Sequence, residues 1–277
     1  LLRRVGARRL RFWKARGFRL LGRARCKATI AEHIGSTAVP RSRRSDRLVS
    51  VTGRHARRTP WHPGPMNQPD ADRPDPPVPY RQVRAVWDAR SITVYQAYGP
   101  AIAGPAVAAG RFVPPFSRSR MTWVKPSFLW MMYRSGWATK PGQERILAVT
   151  MSRSGFEEAL GRSCLSHMDP AVHTSREQWA ALKARSPVRV QWDPERSASL
   201  SPLPYRSLQV GIGPGAVDDY VDRWVLALRD ITDDVARLRS LPALAAADLP
   251  RERPYPLPDA LASRIGATST APPAAAP

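Results

Sequence analysis

The densest group of residues that could do chemistry lies between Arg120 and Lys140. Three tryptophans and a tyrosine alternate there with four cations: Trp123, Trp130, Trp137 and Tyr133 with Arg120, Lys125, Arg134 and Lys140. Cations beside large aromatic faces suit the binding of phosphate groups and stacked bases. This pattern predicts a ligand-binding site formed by Arg120, Trp123, Lys125, Trp130 and Arg134.

Lys125 stands where a predicted strand, Met121–Val124, meets a helix that Ser127 can cap. A helix N-terminus favours anions through its unpaired N–H groups and its dipole, and Lys125 would add a full charge. A second interpretation stays open, since a lysine can also bury its aliphatic stem and keep its ammonium group in water. Leu129, Met132 and Tyr133 fall at helical spacing, which also favours a core position for the aromatic residues.

A second group combines residue types that bind metals. Cys164, His167, Asp169 and His173 follow the spacing C-x2-H-x-D-x5-H. Zinc sites usually repeat paired ligands at short spacing, and this segment has one cysteine. The segment favours a turn that begins at Asp169-Pro170 and is stabilised by the histidines, and we predict no metal site.

Three common catalytic motifs are absent from the sequence: the serine nucleophile elbow, the P-loop and the dinucleotide G-x-G-x-x-G. Gly211–Gly215 is rich in glycine but lacks the Lys-Ser/Thr of a phosphate loop, so it predicts a strand-to-helix turn. Asp193 and Glu195 could form a carboxylate pair, but Pro194 between them is more typical of a solvated turn.

The elements that must position these residues predict one α+β domain with a mixed sheet and flanking helices. The predicted strands are Gln82–Trp87, Ile92–Tyr98, Arg111–Phe116, Met121–Val124, Glu144–Met151, Pro187–Trp192 and Tyr205–Ile212. The predicted helices are Pro100–Ala109, Phe128–Arg134, a helix from Ser154 to about Ser163, one from Ser175 to about Arg185, Ala216–Asp222, and one capped by Thr232 that ends at Arg239. The segment Trp224–Ile231 fits either a strand or a helix.

The charge is distributed unevenly along the 277 residues, whose formal net charge is +22. Residues 1–65 hold 18 of the 44 Lys and Arg residues and two acidic residues, Glu32 and Asp46. Met66 is the first methionine, and a segment of this composition cannot bury enough apolar surface to fold alone. We expect residues 1–65 to be a disordered or non-native upstream extension; a nucleic-acid-binding arm and a targeting presequence are the alternatives.

Composition also sets the limits of the folded part. We expect a Pro-rich lead-in at 66–79, a globular domain at 80–266 and a disordered tail at 267–277. No stretch approaches the roughly 20 consecutive apolar residues of a membrane helix, so we expect no membrane partner. Cys26 and Cys164 do not suffice for a disulfide scaffold, which predicts a reducing, cytoplasmic setting. The oligomeric state is not determined by these features.

Five segments carry a family resemblance: Tyr80–Arg84, Thr93–Tyr98, Arg120–Trp137, Val190–Glu195 and Arg253–Leu257. On these segments the chain resembles the Domain of Unknown Function 4291 family from about Tyr80 to Gly266. The family name implies no activity. The element order is similar to that of ADP-ribosyltransferase-like folds, and this similarity places Gln96, Ser127 and Gln209 where catalytic residues would lie, although none has the usual residue type.

The leading functional hypothesis is an intracellular enzyme that handles a phosphorylated nucleotide, either NAD as cofactor or a nucleic-acid end. Arg120, Lys125 and Arg134 would neutralise phosphate. Trp123 or Trp130 would stack a base, while Gln96 and Gln209 would orient the reacting group. The alternatives are a non-catalytic module that binds RNA or single-stranded DNA, and a protein-interaction domain whose tryptophans lie in the core. Catalysis predicts a pocket, whereas the binding module predicts an open basic groove.

Overall fold

The computed structural model describes residues 78–268. The predictions for the basic segment 1–65, for most of the Pro-rich lead-in and for the end of the tail lie outside the described residues. Within them the α+β prediction is confirmed.

The strands of the described residues form two sheets. Their bounds are β1 Arg84–Trp87, β2 Ser91–Tyr98, β3 Thr122–Val124, β4 Arg145–Ser152, β5 Ser163–Leu165, β6 Val188–Arg196, β7 Pro202–Ile212, β8 Val225–Asp230 and β9 Arg253–Pro254. The first sheet has the order β8-β4-β2-β1-β9 and is antiparallel throughout. The second has the order β3-β7-β6-β5 and is mixed, because β5 and β6 run parallel.

Seven α-helices of the described residues flank these sheets. They are α1 Pro100–Ala109, α2 Phe128–Ser135, α3 Arg153–Gly161, α4 Arg176–Arg185, α5 Pro214–Asp219, α6 Thr232–Arg239 and α7 Asp259–Ile265. A π-helical turn, Tyr220–Trp224, follows α5, and a 3₁₀ turn lies at Ala246–Asp248. Among the described residues no helix is long and apolar enough to cross a membrane.

The described residues form two hydrophobic cores, because successive side chains of a strand point to opposite faces of the sheet. Val94 of β2, Val190 of β6 and Val210 of β7 are buried in the main core, to which both sheets contribute. A smaller core lies on the other face of the first sheet, where Tyr95 packs with residues of α2 and α6. Because successive side chains of a strand point to opposite faces, β2 serves both cores.

The backbone of Lys125 joins the two sheets. The N–H of Tyr95 donates to the Lys125 carbonyl at 2.7 Å, and the Lys125 N–H donates to the Tyr95 carbonyl at 3.1 Å. Strand β1 pairs with β2 at Ile92 and Thr93, and Lys125 pairs with β2 at Tyr95. One edge of β2 therefore has β1 as its neighbour at the start of the strand and Lys125 further along. This pairing fixes the position of the segment that follows β3.

Local signals predicted several elements correctly. Helix α1 has the predicted bounds and ends at Gly110, whose φ of 67° places it in the left-handed region that glycine tolerates best. Helix α2 begins after Ser127 and ends before Gly136, as predicted, one residue beyond Arg134. The segment Gly211–Gly215 runs from the end of β7 into α5, as its glycines indicate.

Other predictions of local structure are wrong. Arg111–Phe116 forms turns instead of a strand, because Pro114 and Pro115 have no N–H to donate to a ladder, and the rings of Phe112 and Phe116 stack at 4.5 Å instead. Ser152, not Ser154, caps α3 and accepts a hydrogen bond from the Gly155 N–H at 3.1 Å.

The start of α6 also differs from the prediction. Thr232 is its first residue and does not cap it. The Thr232 hydroxyl donates to Asp230 and accepts from the Ile146 N–H, so it ties the helix to β4. The ambiguous segment before it divides into the π-helical turn and strand β8.

Candidate functional site

The second sheet has a polar face that points away from the main core. In the register of β7, Gln209 lies opposite Gln191 of β6, and Gly211 lies opposite Trp123 of β3. Lys125, two residues after Trp123, shares this face because strand side chains alternate. We call this surface, formed by Trp123, Lys125, Gln191, Asp193 and Gln209, the polar face.

The cation of the polar face is Lys125, and only 3% of its surface is exposed. Its Nζ donates to Oε1 of Gln209 and lies 3.3 Å from the ring centroid of Trp130, on the first turn of α2. Among the described residues no carboxylate lies within ion-pair distance of Nζ. Lys125 therefore has an amide and an aromatic ring as partners instead of a counter-ion.

Burial lowers the pKa of Lys125 well below its ordinary value. The positive charge of Arg134 lowers it further, and the charges of Asp193 and Glu195 act in the opposite direction. Burial therefore shifts Lys125 toward its neutral amine form.

Asp193 faces the same site from β6. Gln191 Nε2 donates to Asp193 Oδ1 at 2.9 Å, while Asp193 Oδ2 is buried and has no hydrogen-bond partner. A buried carboxylate oxygen without a donor is costly, so this position is suited to accept a hydrogen bond from a ligand. The interpretation of Asp193 and Glu195 as a solvated turn is wrong, because both lie within β6.

Ser127 and two carboxylates close the N-terminus of α2. Ser127 Oγ accepts from the Trp130 N–H at 3.1 Å and donates to Glu195 Oε1 at 2.8 Å. The Phe128 N–H donates to Glu252 Oε1 at 2.6 Å. The N–H groups of this turn, which were predicted to favour a bound anion, thus have partners within the protein. Ser127 is a buried helix cap.

The charges of these two carboxylates are disfavoured. Burial raises the pKa of Glu252 well above its ordinary value, and the neighbouring charge of Glu195 raises it further. Burial also raises the pKa of Glu195, although hydrogen bonds from the Arg196 N–H and from Ser127 oppose the shift.

Gln96 belongs to a different environment from Gln209. It is 2% exposed and donates to Thr122 Oγ1 at 2.7 Å, while its Oε1 accepts from the Tyr220 hydroxyl at 2.7 Å. Tyr98 shares this network, and burial raises the pKa of its hydroxyl to about 12. The structure therefore places Gln96 among buried side chains and does not bring it to the polar face.

The remaining predicted ligand-binding residues, Trp123, Arg134 and Arg120, are all more exposed than Lys125. Trp123 is partly exposed and its ring covers Gly211, where a Cβ atom would lie 2.8 Å from two ring atoms. Arg134 is exposed in the last turn of α2, and Arg120 is exposed before β3. The structure brings together Lys125, Trp130 and Gln209.

Sequence reasoning missed an aromatic–cation pair beside this site. The guanidinium carbon of Arg196 lies 3.6 Å from the ring centroid of Tyr133, which is 41% exposed. The Tyr133 ring also meets that of Trp130 edge to face at 6.0 Å between centroids. The alternation of Val and polar residues in Val188–Asp193 could have indicated a polar strand face, but no local signal connects Glu252 to α2.

A cavity of about 310 Å³ opens beside β6. Its polar lining comes from Arg81, Ser166, His167, Asp169 and Gln191. Gln191 belongs to both the cavity and the polar face, and the residue opposite it in β7, Gln209, contacts Lys125. The cavity has the size of small-ligand sites and shares Gln191 with the polar face.

The segment with metal-binding residue types is arranged by hydrogen bonds. His173 Nδ1 bonds to the Asp169 backbone, and the Asp169 carboxylate pairs with Arg81. Burial raises the pKa of the Cys164 thiol. Among residues 78–268, no group of three or more His, Cys, Asp and Glu side chains is placed to hold a metal ion.

Fold and site together define a class: a two-sheet α+β domain with a buried lysine on the outer face of its mixed sheet. The chain belongs to the family described as "Domain of unknown function (DUF4291)", whose model matches residues 82–255. The match lies inside the range indicated by the resemblance. A comparison with curated proteins gives no match.

Proposed function

We propose that this domain is an enzyme that acts on a phosphorylated nucleotide at the polar face, with Lys125 contacting phosphate. The observation that carries the proposal is the burial of Lys125 without a carboxylate partner among the described residues. Lysine is almost never fully buried unless it is paired, because desolvation of the ammonium group is costly. An apolar side chain such as methionine would fill the same volume at lower cost, which favours a chemical role for the amine.

The surroundings of Lys125 support a nucleotide as the ligand. Arg134 supplies a nearby positive charge, and the partly exposed ring of Trp123 offers a face for a base. Gln209, already bonded to Nζ, can orient a reacting group beside it. The cavity beside β6 supports catalysis over an open groove, because polar side chains converge on it. NAD and ATP both carry the required phosphates, and the ADP-ribosyltransferase-like variant of the proposal requires NAD.

A different observation favours the second candidate, a module that binds RNA or single-stranded DNA. Tyr133 is exposed and stacked on Arg196, and the exposed Arg134 follows it in the helix. An aromatic ring beside cations is a platform on which unpaired bases stack. In this candidate the affinity depends on Tyr133 and Arg196 and does not require the amine of Lys125.

Calorimetric titration with NAD, ATP and a short RNA, each on folded protein, tests these proposals. We expect Lys125→Met to weaken nucleotide binding by about 1–3 kcal/mol, the scale of a hydrogen bond to a charged group. Lys183→Met is the matched control, because Lys183 also lies over a tryptophan, Trp179, at 4.5 Å, but on α4. Equal nucleotide affinity of the wild type and Lys125→Met would contradict the enzyme proposal. Loss of RNA binding in Tyr133→Ala, with Lys125→Met unaffected, would support the second candidate.

A further inference from the structure

The two contacts of the Lys125 amine group match the two N–H donors of a neutral amine. An ammonium group has three N–H donors. Gln209 Oε1 accepts one, and the face of Trp130 at 3.3 Å can accept another. Among the described residues no further acceptor bonds to Nζ, so a third N–H would point at no partner. In a neutral amine the lone pair takes that direction.

The direction of the pKa shift supports this assignment. Burial lowers the pKa of Lys125 and outweighs the charges of Asp193 and Glu195, which raise it, while the charge of Arg134 acts in the same direction as burial. Desolvation of a lysine amine is one of the ways in which proteins make it a nucleophile at neutral pH.

A proton acceptor lies on the same face. The charge of Asp193 raises the pKa of Lys125 and so opposes the effect of burial, and its Oδ2 is buried without a donor. Its other oxygen is held by Gln191, which fixes the orientation of the carboxylate. A carboxylate held in this way can take a proton from Nζ through bridging water.

We propose that Lys125 is a catalytic nucleophile that forms a covalent lysyl–nucleotide with a nucleoside triphosphate; this inference rests on the proposed function and names its substrate class. The Nζ lone pair attacks the α-phosphorus and forms an N–P bond. The bond between the α-phosphorus and the bridging oxygen breaks, and its electron pair leaves with pyrophosphate. The proton of Nζ passes to Asp193. The product is a phosphoramidate of a nucleoside monophosphate on Lys125.

The cations beside α2 suit this leaving group better than they suit a carbonyl substrate. Arg134 is exposed on the helix that carries Trp130, and Arg196 reaches the same helix through the ring of Tyr133. Positive groups near the attacked phosphorus stabilise the charge that develops on departing pyrophosphate. Schiff-base formation with an aldehyde would need no such cations.

The experiment incubates the full chain with each of the four ribonucleoside triphosphates, labelled at the α-phosphate, in the presence of Mg²⁺. We expect one of them to label the denatured protein, with label that is stable to alkali and lost in acid, as expected of a phosphoramidate. Peptide mass spectrometry should place one nucleoside monophosphate on Lys125. Lys125→Arg should abolish the label, because arginine keeps the charge but is not deprotonated in proteins.

Two further variants sharpen the test. Asp193→Asn should slow labelling by about 10²-fold or more if Asp193 accepts the proton. Lys183→Arg is the matched control and should label at the rate of the wild type. Circular dichroism of each variant verifies that it is folded.

The outcomes separate this inference from the proposed function. Label on Lys125 that is absent from Lys125→Arg supports the nucleophile. Labelling of Lys125→Arg at the rate of the wild type overturns it. If nucleotides bind calorimetrically in a Lys125-dependent way but none of the four labels the wild type, the nucleophile is overturned and the proposed function stands. If no nucleotide binds, both are overturned.

Discussion

At the residue scale, burial acts on two ionisable side chains near the junction between β3 and α2. It lowers the pKa of Lys125 and raises the pKa of Glu252, so both groups are shifted toward their neutral forms. Each costs stability in its charged form, because a buried charge loses its hydration. The carboxyl group nevertheless has a structural partner, since it accepts the Phe128 N–H.

The raised pKa of Glu252 predicts a pH dependence of stability. Its favourable contribution is fully present below its unfolded pKa, about 4.3, and is lost as the pH rises through the higher folded value. We therefore expect the stability of Glu252→Gln, relative to the wild type, to increase as the pH rises from 4 to 8. Glutamine keeps an oxygen for the Phe128 N–H and carries no charge. Urea unfolding across this range measures the difference.

Glu177→Gln is the control for that measurement. Glu177 lies exposed in the first turn of α4, where the backbone N–H and the Ser175 hydroxyl lower its pKa. Its substitution should give no gain in stability with rising pH. Parallel pH profiles for the wild type and Glu252→Gln would contradict the raised pKa of Glu252.

At the element scale, two helical glycines have opposite surroundings. Gly155 of α3 packs against Trp224, and a Cβ atom there would lie 2.5–2.6 Å from three atoms of that side chain. Trp224 is 1% exposed and lies in the main core. At Gly104 of α1, no atom apart from its chain neighbours and its own helix backbone lies within 4 Å of the same position. The first glycine is required by a close approach, and the second is not.

This difference predicts unequal effects of alanine. Gly155→Ala should lower the free energy of unfolding by about 1–3 kcal/mol, the usual cost of overpacking a core. Gly104→Ala should change it by less than about 1 kcal/mol, because the helix propensity gained with alanine is opposed by Pro105, whose ring disfavours a helical conformation at a preceding residue that carries a Cβ atom. Denaturant unfolding of both variants checks the pair. A gain in stability for Gly155→Ala would show that α3 does not approach Trp224 as described.

At the scale of the whole described domain, its last segment closes the fold. Tyr255, just after β9, donates its N–H to the Val83 carbonyl at 2.8 Å. The Trp192 indole N–H donates to the carbonyl of Ile265 in α7 at 2.7 Å. Ile265 is fully buried in the main core. These contacts join the C-terminal elements to both sheets, so we expect them to unfold with the sheets.

The position of Ile265 predicts the cost of truncating it. Ile265→Ala should lower the free energy of unfolding by about 2–5 kcal/mol, since the substitution leaves a cavity in the main core. Leu226, 56% exposed on β8, is the control, and Leu226→Ala should change stability by less than about 0.5 kcal/mol. Tryptophan fluorescence and circular dichroism should report coincident transitions. A small effect of Ile265→Ala would show that α7 unfolds separately.

Local chemistry in the sequence determined much of the fold. The bounds of α1, the cap of α2 and the hairpin of β1 and β2 follow from neighbouring residues: a glycine at a helix end, a serine at a helix start and alternation along strands. The sequence also singled out Lys125 and Trp130, because cations interleaved with tryptophans are unusual within one segment.

Tertiary structure decided which of these side chains meet. Gln96 and Gln209 are equivalent amides in the sequence, but the first lies in a buried hydrogen-bonded network and the second contacts Lys125. Register decides this, because shifting a strand by one residue moves every side chain to the opposite face. Glu252 reaches α2 from far along the chain, and such a contact leaves no local pattern. The sequence thus determined the residue types available for chemistry, whereas long-range pairing determined their faces, partners and charges.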